Sequence, residues 1–289
     1  MIIHSAEAQQ ASFFTYHGGA RKILVVNDGE VPYDNACFAP GVARSALSKI
    51  RNTTEHFRLP HNILVLRSGD RTVLMDAGNG HNSGGLLTAN LQTAGIQPQE
   101  VTDIVLTHAH PDHICGLVQA DRQLVFPAAT IHLSCEEYTF WQSAAPDFSR
   151  SKEATAVLSA MQQEIRTILT STESRLQLFS GSTPLFDFLK PVAAAGHTPG
   201  HYMFEIQSED KSFMHMGDIC HDDQVLFRHP DWGTVFDIDF MQAAQVRVAV
   251  LRQMALSGQL VFGYHLPWPG FGQVVADGEA FRWVPEINC

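Results

Sequence analysis

The segment Thr107–His113 (THAHPDH) constrains this chain more than any other, because it places four potential metal-binding side chains within six residues. It directly follows the apolar stretch Ile104–Leu106. Side chains in a strand repeat every two residues, so an extended segment ending near His108 would place His108 and His110 on one side. Imidazole nitrogens and carboxylate oxygens suit zinc and similar divalent ions. The segment therefore predicts a metal site at the end of a strand.

The second half of this segment adds further ligands. Pro111 is favoured at the first position of a helix, so Asp112 and His113 would lie in a tight first turn. One short stretch of chain could then supply ligands to two adjacent ions.

Size and charge limit the classes of function. A chain of 289 residues can bury a large core, and 45% hydrophobic with 17% charged residues is typical of a globular protein. The 19 basic and 30 acidic residues give a formal charge of −11, without a run rich in lysine and arginine. Because phosphate-backbone binding needs clustered basic residues, we expect no nucleic-acid partner. A small, neutral, partly apolar substrate fits this charge better than an anionic one.

The chain also lacks the signals of membrane insertion and export. No apolar run approaches the length that crosses a bilayer, and the first seven residues do not resemble a secretory signal. The five cysteines are scattered and form no CxxC pair, which indicates a reducing compartment. We therefore expect a cytoplasmic protein without membrane contact.

Short apolar runs alternate with helical patterns along the chain. Apolar residues at helical spacing predict helices over 151–171 and 241–256. Ser134, with a glutamate three residues later, predicts a capped helix start directly after a strand. Many strands with interspersed helices suggest sheets covered by helices in one domain, 1–289. Residues 1–60 carry no metal-type cluster, so we interpret them as an N-terminal extension compatible with a homodimer interface.

Four more candidate metal-site residues each follow an apolar run. Asp76 ends one run, His197 lies within GHTPGH, Asp218 follows a second run, and His265 closes a third. A lone buried Asp or His is more often satisfied by hydrogen bonds alone. The repeated placement at strand ends indicates one shared cleft.

Together these motifs resemble the metallo-β-lactamase superfamily over roughly residues 60–270. The match consists of HxHxDH at 108–113, GHTPGH around His197, GD at Asp218 and the final His265. This resemblance implies an α/β (α+β) fold, a four-layer αββα sandwich, with two divalent ions per chain. Zinc is the expected metal, with manganese, iron and cobalt as alternatives. The implied ligands are His108, His110 and His197 for one ion and Asp112, His113 and His265 for the other, with Asp218 bridging them and Asp76 supporting the site.

Looser patterns resemble the branch that contains methyl parathion hydrolase and certain acyl-homoserine-lactone lactonases. They lie at 71–78, 126–130, 217–221 and 281–285. The function expected from this resemblance is attack of a metal-bridging hydroxide on a neutral lactone or ester carbonyl. An organophosphate triester hydrolase is the alternative enzyme, and a non-catalytic metal-binding protein on the same scaffold is the alternative of a different class.

Six further site assignments follow. We expect Asp112, Asp218 and His221 to take part in catalysis. His221 stands where many such lactonases carry a tyrosine, and it could donate a similar hydrogen bond or act as a general acid, or be structural. Hydrophobic and aromatic walls suit an acyl chain or an aryl leaving group. The candidate pocket residues are Phe140, Trp141 and Trp268.

Overall fold

The computed structural model describes residues 11–16, 21–51, 56–208 and 211–286. Its first sheet has seven strands in the order β1 to β7, antiparallel from β1 to β4 and parallel from β4 to β7. Every residue of β5 is buried, as expected of a strand inside a parallel sheet. The strands are β1 (Phe13–Tyr16), β2 (Lys22–Asp34), β3 (His56–Ser68), β4 (Arg71–Met75), β5 (Asp103–Val105), β6 (Thr130–Ser134) and β7 (Leu176–Phe179).

The second sheet has six strands in the order β13-β12-β11-β10-β9-β8. Its neighbours are antiparallel except for β10 and β11, which run parallel. The strands are β8 (Leu189–Ala193), β9 (Tyr202–Ser208), β10 (Lys211–His215), β11 (Leu260–Phe262), β12 (Phe271–Asp277) and β13 (Ala280–Pro285).

Helices cover the outer faces of both sheets. On the first sheet, α2 packs on β2 and α4 on β6 and β7, with α5 against α4; on the second, α7 packs on β12 and α6 on β13. No helix in the described ranges is long and apolar enough to span a membrane. The helices are α1 (Arg44–Arg51), α2 (Leu87–Thr93), α3 (Pro111–Ile114), α4 (Cys135–Gln142), α5 (Thr155–Ser171), α6 (Val225–Arg228) and α7 (Phe240–Ser257).

A buried apolar layer joins the inner faces of the two sheets. Leu64, Leu66 and Val73 from the first sheet belong to the same cluster as Phe204 and Phe262 from the second. The alternation of these residues along their strands directs every second side chain inward. Each sheet has one further apolar cluster, which lies between the sheet and the helices that cover it. The expected four-layer αββα sandwich is therefore confirmed.

The local patterns correspond closely to these elements. The pattern over 241–256 forms α7, and the pattern over 151–171 forms α5, which begins at Thr155. Ser134 caps α4, because its hydroxyl accepts a hydrogen bond from the backbone N–H of Glu137. Both the capped start and the strand before it are as expected.

The N-terminal segment is built into the first sheet. β2 pairs with β3 from Lys22 opposite Arg67 to Asp34 opposite His56, with a bulge between Asn27 and Glu30. A single domain over 1–289 and a dimer interface in 1–60 stay predictions, and residues 1–10, 17–20 and 52–55 of that segment lie outside the described residues.

Candidate metal centre

The predicted ligands follow the ends of several strands. His108–His113 come after β5, His197 lies between β8 and β9, Asp218 comes after β10, and His265 comes after β11. Asp76 directly follows β4. The structure brings all of the predicted ligands together at one end of the sandwich.

One group consists of three histidines. The ligand atoms of His108, His110 and His197 all lie within 4.8 Å of one another. His110 Nδ1 is 2.9 Å from His197 Nε2. Three buried imidazoles that converge in this way suit one zinc-like ion.

A second group combines two carboxylates and two imidazoles. Ligand atoms of Asp112, His113, Asp218 and His265 lie within 4.8 Å of one another. Asp112 Oδ2 is 3.7 Å from His113 Nε2 and 3.3 Å from His265 Nε2. This mixed nitrogen and oxygen set suits several divalent metals.

Asp218 joins the two groups. Its Oδ2 is 3.4 Å from His197 Nε2 and 3.3 Å from His265 Nε2, and its Oδ1 is 3.4 Å from His113 Nε2. One carboxylate therefore faces ligands of both groups, as a bridging residue would.

Unsatisfied atoms test whether the site fits metal. His108 Nε2, His113 Nε2 and Asp218 Oδ1 are buried and have no hydrogen-bond partner among the described residues. Buried polar atoms are normally paired, and these three converge on the same space. Divalent cations would satisfy all of them, so the residues fit two ions.

Outer hydrogen bonds orient the imidazoles. His197 Nδ1 lies 2.9 Å from Asp237 Oδ1, and His113 Nδ1 lies 3.0 Å from Asp76 Oδ2. His265 Nδ1 lies 3.1 Å from the carbonyl oxygen of Pro60. When the outer nitrogen donates its proton to such an acceptor, the inner nitrogen is left free to bind metal. Asp237 has no motif of its own in the sequence.

Glu137 is a further residue that motif reasoning missed as part of the site. Its buried carboxylate accepts hydrogen bonds from the backbone N–H of Ala109 at 2.9 Å and of Gly200 at 2.9 Å. The Thr198 hydroxyl at 2.6 Å and the Trp141 indole at 2.7 Å also donate to it. Glu137 thus connects the two loops that carry the three-histidine group. The capping signal at Ser134 located this glutamate but not its second role.

His61 and Tyr264 support Asp112. His61 Nε2 lies 3.4 Å from Asp112 Oδ2, and the Tyr264 hydroxyl donates to the Asp112 carbonyl oxygen at 2.6 Å. The Tyr264 ring also stacks on His113, with ring centroids 4.0 Å apart. An isolated histidine and tyrosine carry no sequence signal that would place them here.

His221 lies beside the bridging carboxylate. Its Nε2 is 3.3 Å from Asp218 Oδ2, and its ring stacks on His265 with centroids 5.3 Å apart. Together with His197 and Asp218 it forms another group of potential ligands within 4.8 Å. The side chain is therefore close enough to act on whatever binds at the metals.

Charge in the site favours bound cations. Burial alone would raise the pKa of Asp218, but His113 and His265 hold it well below its usual range. Burial lowers the pKa of His108 well below its usual value. Ionised carboxylates and neutral imidazoles are the forms that bind metal, so Asp218 and His108 are ready for it. The raised pKa values of His113 and His265 mean that these two imidazoles must lose a proton first.

A cavity of about 300 Å³ opens above the metal site. Its lining includes Asp112, Asp218 and His221 together with an apolar wall that motif reasoning missed. That wall is formed by Tyr33, Leu59, Met161 and Phe236.

The predicted pocket residues lie around this cavity rather than in its lining. Trp141 is fully buried, and the centroid of its ring lies 5.9 Å from that of the His110 ring. Phe140 lines a shallow groove on the outer side of α4, and Trp268 lines a neighbouring cleft together with His265. Their role in substrate binding stays a prediction.

Comparison with known families agrees with the geometry. Residues 56–265 match the metallo-beta-lactamase superfamily. This chain belongs to that superfamily. It is a metallo-hydrolase, and its clustered histidines and aspartates fit the divalent-metal site of this metallo-β-lactamase fold. No curated protein sequence matches it significantly.

Solved structures show the same relationship. AidC, a dizinc quorum-quenching lactonase in complex with a product, N-hexnoyl-L-homoserine, is 32% identical, with a TM-score of 0.91 over 96% of this chain and 98% of its own. The hydrolase AbOPH of the β-lactamase superfamily is 27% identical, with a TM-score of 0.88 over 97% and 99%. An N-acyl homoserine lactone hydrolase with N-hexanoyl-L-homoserine at its catalytic metal centre has 15% identity and a TM-score of 0.59 over 84% and 92%, so it shares the fold.

Removal of the Glu137 carboxylate should disrupt this metallo-β-lactamase site. Glu137→Ala leaves buried donors of Ala109, Thr198 and Gly200 without an acceptor, so we expect a loss of about 3 kcal/mol or more in the free energy of unfolding. Bound metal should fall as well. Urea unfolding and elemental analysis would measure both.

The neighbouring Glu136 provides a matched control. It is exposed on the same turn of α4, so Glu136→Ala should change stability by no more than about 0.5 kcal/mol. Equal effects of the two substitutions would contradict the role of Glu137.

Metal affinity should depend on pH. Burial would lower the pKa of His265, but Asp218 and Asp112 raise it to about 9, and the same carboxylates raise that of His113. Protons therefore compete with metal for His265 below about pH 9, and they compete for His113 as well. We expect the apparent affinity to fall as pH falls, by about tenfold per pH unit for each proton released. Competition with a chromophoric chelator at two pH values would measure it, and a pH-independent affinity would contradict it.

Proposed function

We propose that this chain is a dinuclear lactonase, with zinc as the working metal and acyl-homoserine-lactone-type esters as substrates. The observation that carries this proposal is the two-group ligand cluster joined by Asp218 beneath an apolar cavity. The likeness to AidC over nearly the whole of both chains supports it. Zinc is favoured because imidazole nitrogen is the commonest ligand type in the cluster.

Two divalent ions at such a site supply Lewis-acid polarisation of a carbonyl and activation of a water. The side chains of this protein would position the metal ligands and transfer protons. Asp218 faces both ligand groups and so fixes the position of one group relative to the other. His61 lies beside the Asp112 carboxylate and helps to orient it. The Tyr264 hydroxyl donates a hydrogen bond to the backbone carbonyl oxygen of Asp112.

His221 is our candidate for proton delivery to the departing alkoxide. It lines the cavity, and its Nε2 is 3.3 Å from Asp218 Oδ2 while its Nδ1 has no hydrogen-bond partner within the described residues. Lactone opening leaves an alkoxide oxygen that must gain a proton. Burial lowers the pKa of His221, so the resting ring is neutral. It could accept the proton released by the attacking water and then donate it to the alkoxide.

The cavity favours an uncharged substrate with an apolar arm. Met161 and Phe236 offer apolar contact, whereas Glu164 adds a carboxylate to the lining. This carboxylate would repel an anionic substrate and accept a hydrogen bond from an amide N–H. An acyl-homoserine lactone combines a neutral ester, an amide and an acyl chain.

A substrate panel with metal analysis tests the proposed function. We expect acyl-homoserine lactones to be hydrolysed with a higher kcat/KM than simple lactones, p-nitrophenyl esters, paraoxon-type triesters or a chromogenic β-lactam. Each chain should contain two zinc ions, and removal of metal by a chelator should abolish turnover. Faster hydrolysis of a triester than of every lactone would favour the organophosphate alternative, and stoichiometric metal without any turnover would favour a binding protein.

Asp218→Asn tests the bridging carboxylate at nearly constant volume. We expect activity to fall by more than the roughly 10- to 100-fold that loss of an outer partner of a ligand costs. Metal content should fall too. Asp277→Asn, at an exposed position of β12, is the matched control and should behave like wild type. A folded Asp218→Asn protein with full activity would refute the assignment.

A further inference from the structure

Tyr33 reaches the active-site cavity from outside the part of the chain that matches the superfamily. The family match begins at residue 56, whereas Tyr33 lies near the end of β2, opposite Phe57 of β3. Because β2 follows β3 along its whole length, its final residues are carried to the same end of the sandwich as the metal centre. Part of the cavity wall is thus added by the N-terminal segment.

Aromatic neighbours hold the Tyr33 ring in place. It meets Phe236 nearly edge-on, with centroids 5.6 Å apart and planes at 76°, and it meets Phe38 at 6.4 Å and 86°. Both phenylalanines also contact the His221 ring, at 5.9 Å and 6.1 Å. Edge-to-face packing of this kind is favourable and orients rings. Tyr33 is therefore fixed beside His221 rather than loosely exposed.

The hydroxyl of the Tyr33 ring has no hydrogen-bond partner within the described part of the chain. Tyr33 is half-buried and lines the cavity with Asp112 and Asp218, and its hydroxyl makes no hydrogen bond to any described residue. A buried tyrosine usually pairs its O–H group. A hydroxyl held at a cavity wall without such a partner is available to a bound molecule.

Burial keeps this hydroxyl protonated. Burial raises the pKa of Tyr33 well above its ordinary value. The phenol thus keeps its proton throughout the pH range in which the protein would work. It can donate to a neutral oxygen and does not itself become an anion.

We propose that the Tyr33 hydroxyl donates a hydrogen bond to a carbonyl oxygen of the neutral substrate, and so makes the N-terminal segment a determinant of specificity. This inference rests on the proposed lactonase function. The acceptor would be the ester or amide carbonyl of a substrate whose apolar part lies against Phe236 and Met161. Asp112 and Asp218 offer only acceptors, and His221 is assigned to the departing alkoxide, so we assign the carbonyl oxygen to Tyr33.

Tyr33→Phe removes the hydroxyl and keeps the ring packing. We expect KM for the best lactone, and the Kd of its ring-opened product measured by calorimetry, each to rise by at least about threefold. Metal content and melting temperature should equal those of wild type. Tyr138→Phe is the matched control, because Tyr138 packs against the apolar layer outside the first sheet and does not line the cavity.

The outcomes separate the two proposals. If wild type hydrolyses lactones but Tyr33→Phe changes KM and product Kd by less than threefold, the Tyr33 proposal is overturned and the lactonase function stands. The Tyr33 proposal is also overturned if the metal content or the melting temperature of the variant falls in parallel with its activity. If wild type turns over no lactone, both proposals fall.

Discussion

The concentration of carboxylates and imidazoles around Asp218 is the constraint on which the rest of the structure depends. Asp218 faces histidines of both ligand groups within 3.9 Å, and these side chains are almost fully buried. Burial of unpaired charge is costly, so such a cluster is stable only when cations or exact hydrogen-bond partners balance it. The surrounding loops are shaped to supply that balance.

Two acidic residues outside the cluster show how the scaffold meets this demand. Asp237 accepts from His197 and also pairs with Arg247, which lies on α7. Glu137 on α4 accepts from backbone donors of both histidine-bearing loops. The site is therefore anchored to helices on the outer faces of both sheets. Rigid support of this kind holds metal ligands in the geometry that catalysis needs.

The sequence predicted the architecture, and it predicted candidate ligands that the structure gathers into one cluster, because both depend on short-range patterns. THAHPDH at 107–113 states ligand type and spacing within a single loop, and Asp76, Asp218 and His265 each follow an apolar run that forms a strand. Aromatic side chains were harder to place. Phe140 and Trp141 are adjacent in sequence, yet one lines an outer groove and the other is buried beside His110, because successive positions on a helix point in different directions.

The sequence by itself determined the chemical identity, order and strand-end placement of the candidate metal ligands, and hence the class of chemistry. Only the tertiary structure decided which residues surround that chemistry. Tyr33, His61 and Asp237 meet at the site although they are far apart in the chain and belong to no local motif. Their positions result from the pairing of β2 with β3 and from the packing of the second sheet. Such long-range contacts leave no periodic trace in the sequence, because they depend on how whole elements pack.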